Sequence, residues 1–502
     1  MEVIYIKNFR KGFATNSSST HSVIYKNKDE LLEDLNVFEL NFYGRCTETI
    51  AASKEAKIKY IAANIFHQTL LFDVMCGLYP EMTQYKELVL KQNAVDKIDF
   101  LEKMKNNVNE NIFGECGRGP LYFYNYKYLD ASIDYLKNII DNDNLAIIGG
   151  SDELDFVFEH TLAHKELFAP LSLKNVVKNG NYYVGYSHYA GDRLRFSYKD
   201  EECIPEYPEL IDLRITNKCN HGCPFCFMDS TISDKHASFE TLFKIINELS
   251  TNSFSTHDKK VEFSIGGGNV LLYPKLKELF KLINNNGHII NTTINAKDCE
   301  ELIQNKDLYG IFKEYVNGLG ISVTSIEDVN RINSLERIGN EFDINSNVVV
   351  HLIPELLGME KTTEILHKLS ECGIYKVLFL GYKTNGRGAT QEYHIFNDDE
   401  LKILFDEGNF IYVSIDTTFA KRYKNWIENN YDTVKTITYN EGEYSMYIDG
   451  VTGNAYKSSY ELDKPYNLVW EPNNTDFYSI NEAFGLIRED CGFKQYKKED
   501  ID

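Results

Sequence analysis

From Leu210 to about residue 395, short apolar runs alternate with amphipathic stretches. The runs LIDLRIT (210–216), KVEFSI (260–265), HIINTTI (288–294), GLGISVT (318–324), NVVVHLI (347–353) and KVLFLGY (376–382) predict six strands. Between them SFETLFKIINEL, YPKLKELFKLINN, ELIQNKDLYGIFKEY, IEDVNRINSLERI and TTEILHKLSECG repeat apolar residues at helical spacing, as crossover helices do. Strand and helix in unbroken alternation is the mark of a parallel sheet, so six βα units predict an open, partial (β/α)6 barrel in an α/β fold.

The flanks read differently. Near the start, the β-prone runs VIYI and SVIY flank GFATNSSSTHS, a polar segment of the kind that makes loops and helix caps. Residues 28 to about 170 carry mostly helical spacing, as in KYIAANIFHQTLLFDVM and YLDASIDYLKNIID, with a strand-like LAIIGG. His160 and His164 would share a helix face, but with no Cys or Glu at ligand spacing they and His67 read as packing or surface residues. NYYVGYS and HYAGDRLRFSY alternate around a turn and predict a hairpin over 181–198. The expected organisation is an N-terminal, mostly helical α+β domain (1–180), a β-hairpin and linker (181–207), the barrel (208–395) and a C-terminal α+β extension (396–502).

Composition narrows the partners. The 502 residues hold 53 Lys plus Arg against 75 Asp plus Glu, a net charge of −22 that works against broad contact with nucleic acid or anionic lipid. The N-terminus lacks a signal peptide's apolar core and no run is long enough to span a membrane, so a cytoplasmic protein without a membrane partner is expected. Ten cysteines are too sparse for a disulfide scaffold, and seven are isolated. The other three, Cys219, Cys223 and Cys226, stand in TNKCNHGCPFCFMDS with the spacing C-x3-C-x2-C, directly after the first barrel strand. Three thiolates facing one point suit a [4Fe–4S] cluster with one iron left open to a second molecule. Zinc on three cysteines and His221 is the single-ion alternative, and a chance group of buried thiols the plainest one. Placement after a strand favours iron–sulfur.

The stretch DLRITNKCNHGCPFCF resembles the opening of the radical S-adenosylmethionine (SAM) enzymes, with the aromatic Phe225 between the second and third cysteines. The resemblance covers roughly residues 208 to 395. It implies a TIM-like partial barrel whose first strand feeds the cluster loop, with SAM chelating the open iron. FSIGGGNVLLYP is similar to the family's glycine-rich motif that grips the SAM amino group, which assigns Gly266, Gly267, Gly268 and Asn269 to SAM binding. Asn269 stands where the family has Glu, so an amide oxygen would accept from the ammonium without a countercharge. In ISVTS, Ser322 matches a SAM-contacting serine while Thr324 replaces an acid. His351 is left unassigned. Lys383 and Arg387 are candidates to hold the SAM carboxylate or a substrate anion, with surface cations as the plain alternative.

The chemistry implied is reductive cleavage of SAM at the [4Fe–4S] cluster to a 5′-deoxyadenosyl radical, fed by a reductase or a flavodoxin or ferredoxin electron donor. YSMYIDGVTGNAYKSSY looks like the hairpin that opens the auxiliary-cluster domain of radical SAM peptide-modifying enzymes, without its cysteines: Lys457 and Ser458 stand where one is expected, and Cys491 is alone. A hairpin capping the barrel is the simpler structural expectation. The hairpin and the acidic charge favour a peptide or protein substrate. The alternatives are a nucleoside or small metabolite, and a SAM- and cluster-binding regulator without turnover. Catalytic residues on the substrate side are not identified.

Overall fold

A computed structural model describes residues 2–10, 22–23, 39–43, 46–51, 53–65, 75–83, 136–142, 145–150, 176–186, 193–249, 259–338, 348–374, 376–407, 412–431, 437–469 and 477–497. The serine-rich loop before Ser22 and the residues His67, His160 and His164 lie outside them. The chain divides into two compact units, residues 1–6 with 29–174 and residues 7–28 with 175–502.

The first strands in chain order are β1 (Glu2–Arg10), β2 (Ser22–Val23), β3 (Glu39–Tyr43), β4 (Cys46–Ala51) and β5 (Leu145–Gly150). In the first unit β3, β4 and β5 are antiparallel neighbours, and Glu2–Tyr5 of β1 pairs antiparallel with β5. The helix Lys54–Ile65 follows β4 and buries Ile58 and Ile61; the Ser53 hydroxyl accepts from the Ala56 N–H at 3.2 Å, relieving one orphan donor of its first turn.

In the second unit β6 (Val176–Asn179), β7 (Tyr182–Tyr186) and β8 (Arg193–Ser197) make an antiparallel meander, one strand more than the expected hairpin. It is tied to the barrel at Glu209. The buried carboxylate accepts from the Tyr182 hydroxyl (2.5 Å) and from Arg195 Nε and Nη2 (2.8 and 2.9 Å). Burial pushes its pKa up, but Arg193, Arg195 and Tyr182 outweigh burial and hold it at about 2.

The barrel strands are β9 (Leu210–Thr216), β10 (Glu262–Gly267), β11 (Ile289–Asn295), β12 (Gly318–Ser322), β13 (Val348–Leu352), β14 (Lys376–Phe379) and β15 (Tyr412–Ile415); β16 (Ser445–Asp449), β17 (Asn454–Tyr456) and β18 (Tyr466–Asn467) follow. The sheet order is β18-β17-β16-β9-β10-β11-β12-β13-β14-β15-β2. All neighbours from β16 through β15 are parallel, so the parallel run extends beyond six strands at both sides. β15 continues it past residue 395, and β2 pairs antiparallel with β15. The C-terminal hairpin is not a cap laid on the barrel: β16 is a sheet strand, pairing from Ser445↔Leu210 to Asp449↔Arg214. Among the described residues no helix is long and apolar enough to cross a membrane.

Period-two alternation sets what each face of the sheet carries. Ile211, Leu213 and Ile215 of β9 pack in the core, as do Phe263 and Ile265, Val350 and Leu352, and Met446 and Ile448. Helices supply the other half of that core. The helix Phe239–Glu248 starts on Ser238, whose side chain accepts from Thr241 N, and buries Leu242, Ile245 and Ile246; Leu276–Asn285 buries Leu276, Leu279, Phe280 and Ile283. The intervening strand residues, Asp212, Arg214, Ser264, His351, Tyr447 and Asp449, are on the opposite face, and Asp212, His351 and Tyr447 line its cavity. The sheet interior is therefore polar by register.

Candidate active site

The cavity lies at the C-terminal ends of the parallel strands, where barrel sites form. After β9 the chain turns into the cysteine loop and doubles back: Asn217 N donates to Lys235 O (2.9 Å), Cys219 N to Thr231 O (3.0 Å) and the Ser230 hydroxyl to Asn217 Oδ1 (2.8 Å). Gly222 at φ +62° lets it turn tightly. Cys219, Cys223 and Cys226 are free, partly buried, and all line the cavity. Burial raises the pKa of the Cys219 and Cys223 thiols, and repulsion from neighbouring cysteine thiolates adds to it.

The end of β10 presses against this loop. A Cβ at Gly267, which has φ +123°, would stand 2.0 Å from Thr216 O, and one at Gly268 2.1 Å from Lys218 O. Gly268 N and Asn269 N donate to those same carbonyls, both at 2.8 Å. These two glycines are thus required by the approach of backbone to backbone, whatever the cavity binds. Gly267, Gly268, Asn269, Phe225 and Ser322 line the cavity with the cysteines; Gly266 stays inside β10, paired with Arg214.

Three side chains have contacts absent from their sequence reading. Arg387 is half-buried and is not among the residues lining the cavity: its Nε donates to Cys223 O (2.9 Å), Nη1 to Asp229 Oδ1 (2.8 Å) and Nη2 to Ser230 O (3.1 Å), while its N–H reaches Cys226 O (3.0 Å). It clamps the cysteine loop. Lys383 lines the cavity rather than the outer surface, 4.7 Å from the Phe227 ring centre and 5.0 Å from that of Tyr460. Asn269 directs its Oδ1 to Leu271 N (3.0 Å), capping the turn Val270–Leu272, and its Nδ2 to Asn220 Oδ1 (3.0 Å) and Asp298 Oδ1 (3.3 Å).

The cavity also carries groups with no motif to announce them. Tyr447 and Ser459 are buried and line the cavity, and neither hydroxyl has a hydrogen-bond partner among the described residues; Arg214 stands beside Tyr447 without bonding geometry. Burial lifts Asp212 to about 7, with Lys383 opposing the shift, and lowers His351 to about 3, with Lys383 adding to it. Thr324 gives its N–H and hydroxyl to Asp328 Oδ2 (2.9 and 3.0 Å), so an acid stands one turn behind the position where the family has one.

Among the described residues, no three His, Cys, Asp or Glu side chains converge as ligands of one metal ion. The zinc alternative also needs His221, whose Nε2 is 2.8 Å from Asp298 Oδ2. A cubane asks for a different arrangement, since each thiolate takes a different iron of the cube. Three free thiols on one clamped loop fit that demand.

A strand-fed cysteine loop, a glycine-rich strand end packed on it and a parallel sheet define the radical SAM class of enzymes. Residues 213–341 match the family model of the Radical SAM superfamily, so this part of the chain is a radical SAM domain. That family works with SAM and an iron–sulfur cluster. No curated protein matches the chain in sequence. Among solved structures, SuiB of Streptococcus suis bound to the precursor peptide SuiA is 11% identical, covering 82% of this chain and 79% of its own at a TM-score of 0.40. Another SuiB structure is 12% identical, covering 97% and 89% at 0.40. Native anSMEcpe with bound AdoMet and the Cp18Cys peptide is 16% identical, covering 55% and 80% at 0.36.

Proposed function

We propose that this radical SAM enzyme holds a [4Fe–4S] cluster on Cys219, Cys223 and Cys226, binds SAM with Phe225, Gly267, Gly268, Asn269 and Ser322, and modifies a peptide or protein. The observation that carries the reading is the convergence of three free cysteines, the β10 end and Ser322 on one cavity. When bound, the cluster supplies one electron to the sulfonium of SAM and so releases the 5′-deoxyadenosyl radical. The chain's own part is to orient and shield. Arg387 fixes the loop, and the glycines bring the β10 end against it. Tyr447 and Ser459 also line the cavity, and their hydroxyls suit the carbonyl and N–H groups of an amide.

The electron donor is a reductase, flavodoxin or ferredoxin. Anaerobic reconstitution, iron analysis, and reduction in the presence of SAM test the core of this reading: about four irons per chain and release of 5′-deoxyadenosine are expected. Iron and SAM binding without any 5′-deoxyadenosine would favour a regulator instead. Among candidate substrates, modification of a nucleoside or small metabolite but of no peptide would overturn the peptide assignment.

A further inference from the structure

Two acidic residues line the cavity, and they stand in different surroundings. Asp212 is on the β9 strand, where Lys383 is its opposing charge. Asp298, just after β11, is 4% exposed and is held from two sides. His221, from the cysteine loop, approaches its Oδ2 with Nε2 at 2.8 Å, and the Asn295 N–H donates to the same oxygen at 3.3 Å as part of a capping box. Its Oδ1 receives only the Asn269 amide, at 3.3 Å, among the described residues. A carboxylate offers about four acceptor positions, so Oδ1 retains capacity for a further donor.

The orientation of Asn269 follows from its neighbours. If its amide were flipped, the NH2 group would face the Leu271 N–H and the oxygen would face two acceptors, Asn220 Oδ1 and Asp298 Oδ1, against one neighbour able to donate to it, His221 Nε2 at 3.3 Å, among the described residues. Asn269 is therefore a donor toward Asp298, and its oxygen is turned into the backbone. What this wall presents to a cation is the carboxylate of Asp298.

Resting on the reading that SAM binds here, we propose that Asp298 is the acidic partner of the SAM α-ammonium group, with Asn269 and His221 as the residues that position it. The negative charge missing from the end of β10 is thereby supplied from the end of the neighbouring strand. His221 lies between Cys219 and Cys223, so the loop that bears the thiols also fixes the group that receives the ammonium. His221 donating through Nε2 occupies one acceptor position of Asp298 Oδ2 and leaves Oδ1 for the ligand.

The test compares two ligands on one iron-loaded full-length protein under anaerobic conditions: SAM, and the sulfonium analogue in which hydrogen replaces the α-amino group. Binding is read by equilibrium dialysis, and the ratio of the two affinities does not depend on the fraction of protein loaded. A hydrogen bond to a charged group predicts that the wild type prefers SAM by roughly tenfold to a hundredfold. Asp298→Asn should reduce that preference to less than about threefold at unchanged iron content, while Asn269→Ala, which removes only a positioning contact, should reduce it by a smaller factor. An Asp298→Asn protein that keeps the wild-type preference overturns the proposal, as does a preference that falls further in Asn269→Ala than in Asp298→Asn. If Asp298→Asn loads no iron, Asp298→Glu is read in its place, and its failure to prefer SAM overturns the proposal equally. Wild-type protein that binds neither iron nor SAM overturns the functional reading itself, whereas wild-type protein that binds both ligands equally well overturns only the ammonium assignment.

Discussion

At the cluster-loop end of the cavity the carbonyls of Thr216, Lys218, Cys223, Cys226 and Ser230 all accept hydrogen bonds from the β10 end or from Arg387. Elsewhere in the cavity the hydroxyls of Tyr447 and Ser459 have no partner among the described residues, and Asp212 is buried far from its ordinary pKa. The first set is assembled before any ligand arrives. The second holds desolvated polar groups, each of which costs about 1–3 kcal/mol when left unpaired and recovers that on meeting a complementary group. Pre-organisation in one set and unmet hydrogen bonds in the other are what a resident cofactor and a visiting substrate respectively require.

The largest break in that contrast comes from the thiols. Replacing Cys219, Cys223 and Cys226 by Ala should take bound iron from about four per chain to none, by colorimetric iron analysis; eight irons in the wild type would reveal a second cluster. Arg387→Ala comes next. It removes three side-chain bonds to the loop, so iron occupancy should fall several-fold and unfolding stability by about 2–3 kcal/mol. Arg387→Lys should rescue little, because an ammonium cannot reproduce a planar fork reaching Cys223 O, Asp229 and Ser230 O together.

In the second set, Tyr447→Phe and Ser459→Ala should leave iron content and substrate-free SAM cleavage unchanged. Removing a buried hydroxyl that has no partner should leave stability equal or raise it by about 1 kcal/mol, in denaturant melts, while modification of substrate falls. A loss of iron in these variants would erase the division between the two sets. The smallest effect is in pH. The folded state raises Asp212 from 3.8 to about 7, so it favours the protonated form: that contribution is complete below about pH 4 and lost as pH rises through 7. Asp212→Asn should therefore flatten the decline in melting temperature between pH 4 and 7. His351, lowered from 6.5 to about 3, acts with the opposite sign, its contribution complete above pH 6.5 and lost toward pH 3.

Much of the barrel was legible because parallel strands buried on both faces give near-continuous apolar runs, and LIDLRIT coincides with β9 residue for residue. β15 and β16 were harder to foresee. The polar GYKTNGRGATQEYHIFNDDE reads as an ending, and nothing local in YSMYID says that its partner is β9 rather than β17 alone. The cysteines announce themselves by spacing. Asp298 does not, since Asn295-x-x-Asp298 is the ordinary signature of a capped turn; only the fold brings it to Asn269 and His221. The loop contacts of Arg387 are hidden for the same reason: a cation after a glycine looks solvent-exposed until the loop it clamps is folded against it. The polar side chains on strands, Asp212 and Tyr447, were visible as interruptions of apolar runs, a signal that period-two counting would have turned toward the interior.

The parallel pairing of β16 with β9 has a consequence for the birth of the protein. During synthesis β9 can pair with β10 early, but its other edge waits for Ser445–Asp449. At roughly 5–20 residues per second, the stretch from Thr216 to Ser445 keeps that edge open for about 10–50 s on the ribosome. Throughout that interval an unpaired strand stands immediately before the loop of Cys219, Cys223 and Cys226, inviting the wrong neighbour. Expression at high rates should therefore yield misassembled, iron-poor chains before it yields inactive folded ones, and slowing translation or raising chaperone levels should restore loading without any change of sequence.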